Sequence, residues 1–408
     1  MPSPPVGALG PGVTVAPLDL AIAAASDVGT VREHNEDYVL VGDLDAGTRV
    51  ELTPAADAGA PPGPPTSWHD PEADRGALLV VCDGMGGVEG GEVASELAAA
   101  VMWREMKGTP ATRDPEVFAR LLRRAARVAN HDVHAMAGRE PGLRGMGTTL
   151  SAAGVVDDRL VVATVGDSRA YILRAGELVQ VTRDQSLQQA LLAAGHDSLE
   201  AANAGGAILQ ALGVGEDVEP SLSIIELRRG DRVLLCSDGL HGLVGDPALA
   251  LLMSPPHSVA EAARLLIAAA RAAGGSDNIT AIVTELGGAR LAEPANADDL
   301  PRFREFDPQQ EGDPALTSTS HVARRLAQRI GIGLGVGEDE LLRSIPVTGQ
   351  HAVMQSQNRM ARVPATELPV ELDGPARSRL GELGGIAWHW YLVGLLLACA
   401  AAWTLGGR

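Results

Sequence analysis

Between Thr149 and Thr284 the chain carries a succession of short apolar runs: Thr149–Val156, Leu160–Val165, Ala170–Leu173, Leu178–Val181, Leu222–Leu227, Val233–Cys236 and Ile279–Thr284. Runs this short, bounded by turn residues, are the length of strands rather than helices. Turns, and not regularly helices, separate them, and Arg174-Ala175-Gly176 has the composition of a hairpin turn between two of them. That pattern points to antiparallel sheets with helices packed outside, an α+β layered fold, and away from a doubly wound parallel sheet. Upstream, Ala77–Cys82 is a further buried strand that ends abruptly at Asp83-Gly84. Glu92–Lys107 and Glu116–Ala137 read as helices; in the second, Val117, Leu121, Ala125, Val128 and Met136 recur at helical spacing.

Charge narrows the function. Lys plus Arg number 33 against 52 Asp plus Glu, a net charge of −19, and no basic block stands out. Such a surface opposes the phosphate contacts on which nucleic-acid binding depends, so DNA or RNA is excluded as the main partner. Apolar residues make up 45% of the chain and aromatics only 3%, so the core is built from Leu, Val, Ile and Ala. Three cysteines, Cys82, Cys236 and Cys399, cannot form a disulfide framework and suggest a reducing compartment.

Four regions follow along the chain. Residues 1–17 are a Pro- and Gly-rich, disordered lead-in with no secretory signal pattern. Residues 18–289 form the folded domain, interrupted from Thr53 to Asp74 by a proline-dense stretch expected to be a surface loop. Residues 290–385 are an acidic Pro/Gly-rich linker with one expected helix, His321–Ile330; Phe303 and Phe306 fall here and are read as incidental rather than as a docking motif. Residues 386–405 are 20 positions without Asp, Glu, Lys or Arg, with Trp388, Trp390 and Tyr391 near one end and Trp403 near the other. At about 1.5 Å per residue they span about 30 Å, so a single C-terminal transmembrane helix is expected. Arg377 and Arg379 before it, against Arg408 after it, favour a domain on the cytoplasmic side of the cell membrane.

The chemistry sits in acidic residues beside Gly or Asn at strand ends: Asp83-Gly84, Asp167, Asp238-Gly239 and Asp277-Asn278, with Glu36 and Asp37 upstream. One Asp-Gly pair is an ordinary turn. Four such acids abutting apolar strands suggest a shared sheet edge, where carboxylates repel one another unless a cation lies between them. Mg²⁺ or Mn²⁺ prefers such oxygen ligands, whereas no Cys/His pairs occur at zinc spacing, and His131 and His134 are read as one helix face. A two-metal carboxylate site with a nearby guanidinium suits phosphoester hydrolysis, and Arg32 is the natural candidate. No Gly-rich loop ending in Gly-Lys-Ser/Thr is present, so a P-loop is not indicated.

Arg32-x-x-Asn35-Glu36-Asp37, Asp83-Gly84-Met85-Gly86-Gly87, Gly147-Thr148-Thr149, Gly166-Asp167-Ser168-Arg169, Ser237-Asp238-Gly239-Leu240 and Asp277-Asn278 occur in one order. In this the chain resembles the metal-dependent protein phosphatases, the PPM family or type 2C serine/threonine phosphatases, in their bacterial branch, from about Ala21 to Leu286. The resemblance implies a sandwich of two antiparallel β-sheets flanked by helices. It implies that Asp83 bridges two Mn²⁺ or Mg²⁺ ions, that Asp238 and Asp277 complete one shell, and that Glu36 and the Gly84 carbonyl serve the other. Asp37 then orients a metal-bound water, Arg32 binds phosphate, and Asp167 with Asp238 holds a third, weaker ion. Thr148, Thr149, Ser168 and Arg169 support the site rather than react.

Two departures bear on mechanism. Met85 stands where animal relatives carry a His proposed as general acid, as it commonly does in bacterial members; it cannot donate a proton. His34 and His241 are read as local hydrogen-bonding residues. Gln185–Gly213, the flap in bacterial relatives, lacks the basic residues often found there. Cys82 and Cys236 are read as small buried strand residues rather than a redox switch. The expected activity is hydrolysis of phosphoserine and phosphothreonine in proteins, opposing serine/threonine kinases at the membrane. The rivals are a phosphatase for one regulator and a scaffold that binds phosphoproteins without cleaving them; loss of carboxylates marks the latter, and Glu36, Asp37, Asp83, Asp238 and Asp277 are all present.

Overall fold

The computed structural model describes residues 18–52, 66–70, 76–86, 90–196, 207–296 and 299–307, with 66–70 as backbone alone. The lead-in 1–17, the expected helix 321–330 and the apolar segment 386–405 lie outside the described residues. Among the described residues no helix is long and apolar enough to cross a membrane.

Two antiparallel sheets form the domain. One runs, in spatial order, β10 (Glu177–Gln180), β9 (Arg169–Arg174), β12 (Arg232–Cys236), β13 (Ile279–Gly287), β1 (Leu18–Asp27) and β4 (Thr66–Asp70). The other runs β14 (Phe303–Glu305), β11 (Ser221–Glu226), β8 (Arg159–Val165), β7 (Leu150–Val156), β5 (Ala77–Met85), β2 (Asp37–Asp43) and β3 (Thr48–Leu52), with the two-residue β6 (Gly147–Thr148) paired to the end of β5. The hairpin read at Arg174-Ala175-Gly176 is there: Glu177 pairs with Arg174, and Ala175 and Gly176 both take positive φ, as a two-residue primed turn requires.

Strand parity sorts the side chains into three layers. On β5, Ala77, Leu79 and Val81 join the core between the sheets, while Leu78, Val80 and Cys82 face outward. There they meet α1 (Gly90–Lys107) and α2 (Pro115–Arg139), through Met102, Met106, Phe118 and Leu122. Two further helices, α5 (Asp246–Met253) and α6 (Val259–Ala272), cover the outer face of the first sheet over Leu234, Cys236 and Val283. Where both faces are covered, as in β7, β8 and β12, the strands are near-continuous apolar runs, whereas β1 alternates and the edge strands β3 and β10 are partly exposed. Each fully buried Val, Leu or Ile contributes about 1.5–3 kcal/mol. Among the described residues the remaining α-helices are α3 (Leu187–Ala193) and the single turn α4 (Asp238–His241), with a 3-10 turn at Pro141–Leu143. Helix α2 starts one residue before the expected Glu116: Pro115 opens it and Asp114 accepts from Glu116 N at 2.8 Å.

Two expectations about the edges are corrected. The proline-dense insertion is not loop throughout: Thr66–Asp70 pairs with β1, because the prolines stop at Pro65 and resume at Pro71. Nor does the fold end at 289. Leu291 and Phe306 are buried, Phe303–Glu305 pairs with β11, and Asp299 binds Arg228 at 3.0 Å. Phe303 and Phe306 are therefore packing residues. Arg120 and Arg304 lie over the Phe306 ring at 5.2 and 5.5 Å.

Candidate active site

Strand ends bring the predicted residues together. Asp27 at the end of β1 pairs with Ile279 at the start of β13, and β12 ends beside them. In the other sheet, the start of β2 meets the end of β5. Asp37 and Asp83 share the inward parity of Val39 and Val81, so both belong to the face between the sheets. Arg32 and Glu36 lie on the β1–β2 loop, Asp167 on the β8–β9 turn, Asp238 at the first position of α4, and Asp277 just before β13.

Asp83 is the best supported of them. Its backbone N–H donates to Thr149 Oγ1 at 3.0 Å, and its carbonyl accepts from Thr149 N at 2.8 Å and Thr148 Oγ1 at 2.9 Å. Ser168 Oγ lies 2.7 Å from Thr149 Oγ1, which places Thr148, Thr149 and Ser168 behind the site as supports. Burial, then the fields of Asp37, Asp238, Asp277 and Asp167, pushes the Asp83 carboxyl well above the usual carboxylate range. Burial likewise raises Asp37 to about 7, although Thr280 and Ser237 hydroxyls oppose the shift. Ser237 Oγ donates to Asp37 Oδ2 at 2.7 Å; the motif contained this serine, but nothing in the sequence assigned it that partner.

Arg32 donates through Nη2 to Asp277 at 2.8 Å and lies 3.9 Å from Glu36. The Glu36 carboxyl is raised chiefly by burial, against the pull of Arg32. Its backbone carbonyl accepts from Gly84 N at 3.1 Å and Ser95 Oγ at 2.7 Å. Burial and then the field of Asp238 raise the Asp167 carboxyl well above its ordinary value. His241 Nε2 contacts the Asp167 carbonyl at 3.0 Å, and burial lowers its pKa to about 4, so the ring is neutral. His34 is exposed and sits 3.5 Å from Glu92. His241 is a local hydrogen-bonding group, as expected, while among the described residues the His34 ring makes only the exposed contact with Glu92. Arg169 is held by Asp184 through contacts of 2.6 and 2.9 Å, and Cys82 and Cys236 are fully buried with their thiols pushed up, chiefly by burial. His131 and His134, both on α2, go to different partners, Asp132 and the Gly213 carbonyl.

Among the described residues no three His, Cys, Asp or Glu side chains close on a common point as a ready-made metal cage. The donor set nevertheless fits a hard cation. Asp37 Oδ1 and Asp167 Oδ1 are buried without a hydrogen-bond partner, and buried carboxylate oxygens demand one. The neighbouring backbone leaves no room for side chains: a Cβ on Gly84 would stand 2.2 Å from the Gly91 carbonyl oxygen, and one on Gly91 would stand 2.3 Å from Glu36 Oε1. All these donors are oxygens, the ligands Mg²⁺ and Mn²⁺ prefer.

Comparison with known proteins agrees. A family model described as protein phosphatase 2C matches residues 67–273, half of the chain. The serine/threonine protein phosphatase PstP of Mycobacterium tuberculosis is 37% identical over 272 residues, which span 66% of this chain but only 45% of that protein. The serine/threonine phosphatase stp of Listeria monocytogenes is 37% identical over 215 residues, 52% of this chain and 85% of that protein. A crystal structure of the PstP catalytic domain in complex with two manganese ions aligns with a TM-score of 0.52 at 37% identity, covering 66% of this chain and 99% of that domain. The chain belongs to the protein phosphatase 2C family of serine/threonine protein phosphatases.

Proposed function

We propose that the chain hydrolyses phosphoserine and phosphothreonine in proteins, with Mn²⁺ or Mg²⁺ held by its clustered carboxylates. The observation that carries this is the shared field at Asp83: Asp37, Asp238, Asp277 and Asp167 all raise its pKa, beside an arginine that already grips one of them. In this reading Asp83 serves two ions, Asp238 and Asp277 complete one shell, and Glu36 with the Gly84 carbonyl completes the other. Asp167 joins Asp238 for a third, weaker ion. The bound ions supply a water activated for attack and neutralise charge developing on the phosphoryl group.

The chain's own residues supply the rest. Arg32 presents a guanidinium fork to the phosphate beside Asp277. Asp37, its carboxylate fixed by Ser237, would orient the attacking water. Met85 offers no proton and His241 is neutral, so the leaving oxygen would take its proton from a metal-bound water or from another group in the site.

The substrates in this reading are phosphorylated proteins, serine/threonine kinases among them. The segment 386–405 anchors the enzyme in the cell membrane with the domain on the cytoplasmic side, which raises its effective concentration at membrane-bound kinases. Phosphate release from phosphoserine, phosphothreonine and phosphotyrosine peptides tests the activity. The expected result is turnover of the first two with Mn²⁺ and none with excess chelator; turnover indifferent to chelator overturns the metal assignment. Deleting 386–405 should move the protein from the membrane to the soluble fraction, and an unchanged distribution would refute the anchor.

A further inference from the structure

Several contacts fasten the β1–β2 loop that carries Arg32 and Glu36 to the chain just before β13: Thr30 Oγ1 donates to the Gly274 carbonyl at 2.6 Å, Arg32 binds Asp277, and one side chain, Asn278, makes three hydrogen bonds to the loop. Asn278 is buried, and its amide uses every hydrogen it has. Nδ2 donates to the Val28 carbonyl at 3.0 Å and to the His34 carbonyl at 2.9 Å, while Oδ1 accepts from Glu36 N at 2.8 Å. The two donations reach carbonyls on either side of Arg32, so the side chain staples the loop across its mouth. The backbone N–H of Asn278 also donates to Asp277 Oδ1 at 2.9 Å, orienting the carboxylate that Arg32 grips. Further backbone contacts lie alongside: Thr30 N donates to the Gly275 carbonyl at 2.7 Å, and a Cβ on Gly29 would stand 2.2 Å from the Asp277 carbonyl oxygen.

We propose that Asn278 is a positioning residue that locks the Arg32 loop onto the Asp277 strand end, so that the phosphate-binding arginine and the carboxylates beside it keep one fixed spacing. This rests on the phosphatase reading above. Only an amide meets the demand, because the loop offers two acceptors and one donor to a single flat group. Aspartate accepts but cannot donate, serine is too short for all three contacts, and glutamine is one methylene too long.

A double-mutant cycle in the full chain separates positioning from mere support. Asn278→Ala, Arg32→Ala and the pair are compared with wild type for kcat and KM on a phosphothreonine peptide at saturating Mn²⁺. Inorganic phosphate affinity is measured by calorimetry under the same conditions. Asn278→Ala should lower kcat/KM about tenfold, largely through KM, and weaken phosphate binding similarly. In the Arg32→Ala background it should cost at most about twofold, because its effect runs through Arg32. Equal losses in both backgrounds, tracking the fall in melting temperature, would overturn the proposal. Should Asn278→Ala not fold, Asn278→Ser, which keeps one polar contact, enters the same cycle and should give a smaller loss with the same dependence on Arg32. A wild-type chain that binds phosphate without hydrolysing it would sink the activity and leave the phosphate arm to decide on Asn278.

Discussion

Asp37 and Asp83 are direct register partners across β2 and β5, two carboxylates facing each other on neighbouring strands. Like charges so placed cost roughly 0.2–1 kcal/mol even on an exposed sheet, and burial adds to the cost. A domain that keeps such a pair trades stability for a binding site. In chelator, Asp83→Asn should therefore melt about 2–4 °C above wild type, the shift about 1 kcal/mol gives in a domain of this size. With Mn²⁺ the order should reverse, because only the wild type gains from binding. A variant that melts lower in chelator would contradict the assignment of strain to this pair.

The raised pKa of Asp37 sets a pH dependence opposite to that of a salt-bridged acid. Its folded value of about 7 lies above the ordinary 3.8, so between those values the native state holds a proton the unfolded state has released. Stability from this group is present at the acid end and is lost as pH rises through about 7. In chelator, the melting-temperature difference between wild type and Asp37→Asn should widen from pH 5 to pH 7, with wild type falling behind. A difference that stays flat or narrows over that range counts against the shift.

Cys82 and Cys236 lie beside metal-ligand candidates, yet both are fully buried and their thiols are pushed up by burial. Low thiolate content and no access make them inert. Maleimide labelling of the native protein, mapped by mass spectrometry, should leave both unmodified while denaturant exposes them. Native labelling at either position would revive a redox role.

Phe306 closes the core under α2 and is covered by Arg120 and Arg304, while Asp299 binds Arg228. Removing a buried Phe side chain costs about 3–5 kcal/mol. Phe306→Ala should lower the urea midpoint of the full chain accordingly, with the slope unchanged. An unchanged midpoint would show that 299–307 is not part of the cooperative unit.

What the sequence made legible follows from locality. Strand β5 is legible because an apolar run stops at Asp83-Gly84, although the strand runs on to Met85, and α2 because its apolar spacing is helical, although Val117 is exposed and Phe118, Leu122 and Val133 form the buried face. The carboxylates were readable as a group from the order of their motifs. Less legible was whatever depends on tertiary approach. β4 and β14 are short and lack apolar alternation, so only their partners β1 and β11 define them. Helix α6, by contrast, carries local signals: Val259, Ala262, Ala263, Leu266, Ile267 and Ala270 are buried at helical spacing, and Ser258 caps it by accepting from Glu261 N at 3.2 Å, so its absence from the expected helices is not a matter of tertiary approach. Ser237 and Asn278 were visible within motifs, but their partners Asp37, Val28 and His34 lie some 200 or more residues away in the chain.

The most direct test follows phosphate release from a phosphothreonine peptide by the full chain and by Asp238→Asn, with Mn²⁺ titrated and its binding stoichiometry measured in parallel. Wild type should turn over only with Mn²⁺, bind at least two ions, and lose activity to chelator. Asp238→Asn should remain folded, bind Mn²⁺ more weakly and turn over at least about a hundredfold more slowly. A chelator-resistant wild type, or an Asp238→Asn variant as active as its parent, would contradict a metal-dependent hydrolase built on these carboxylates.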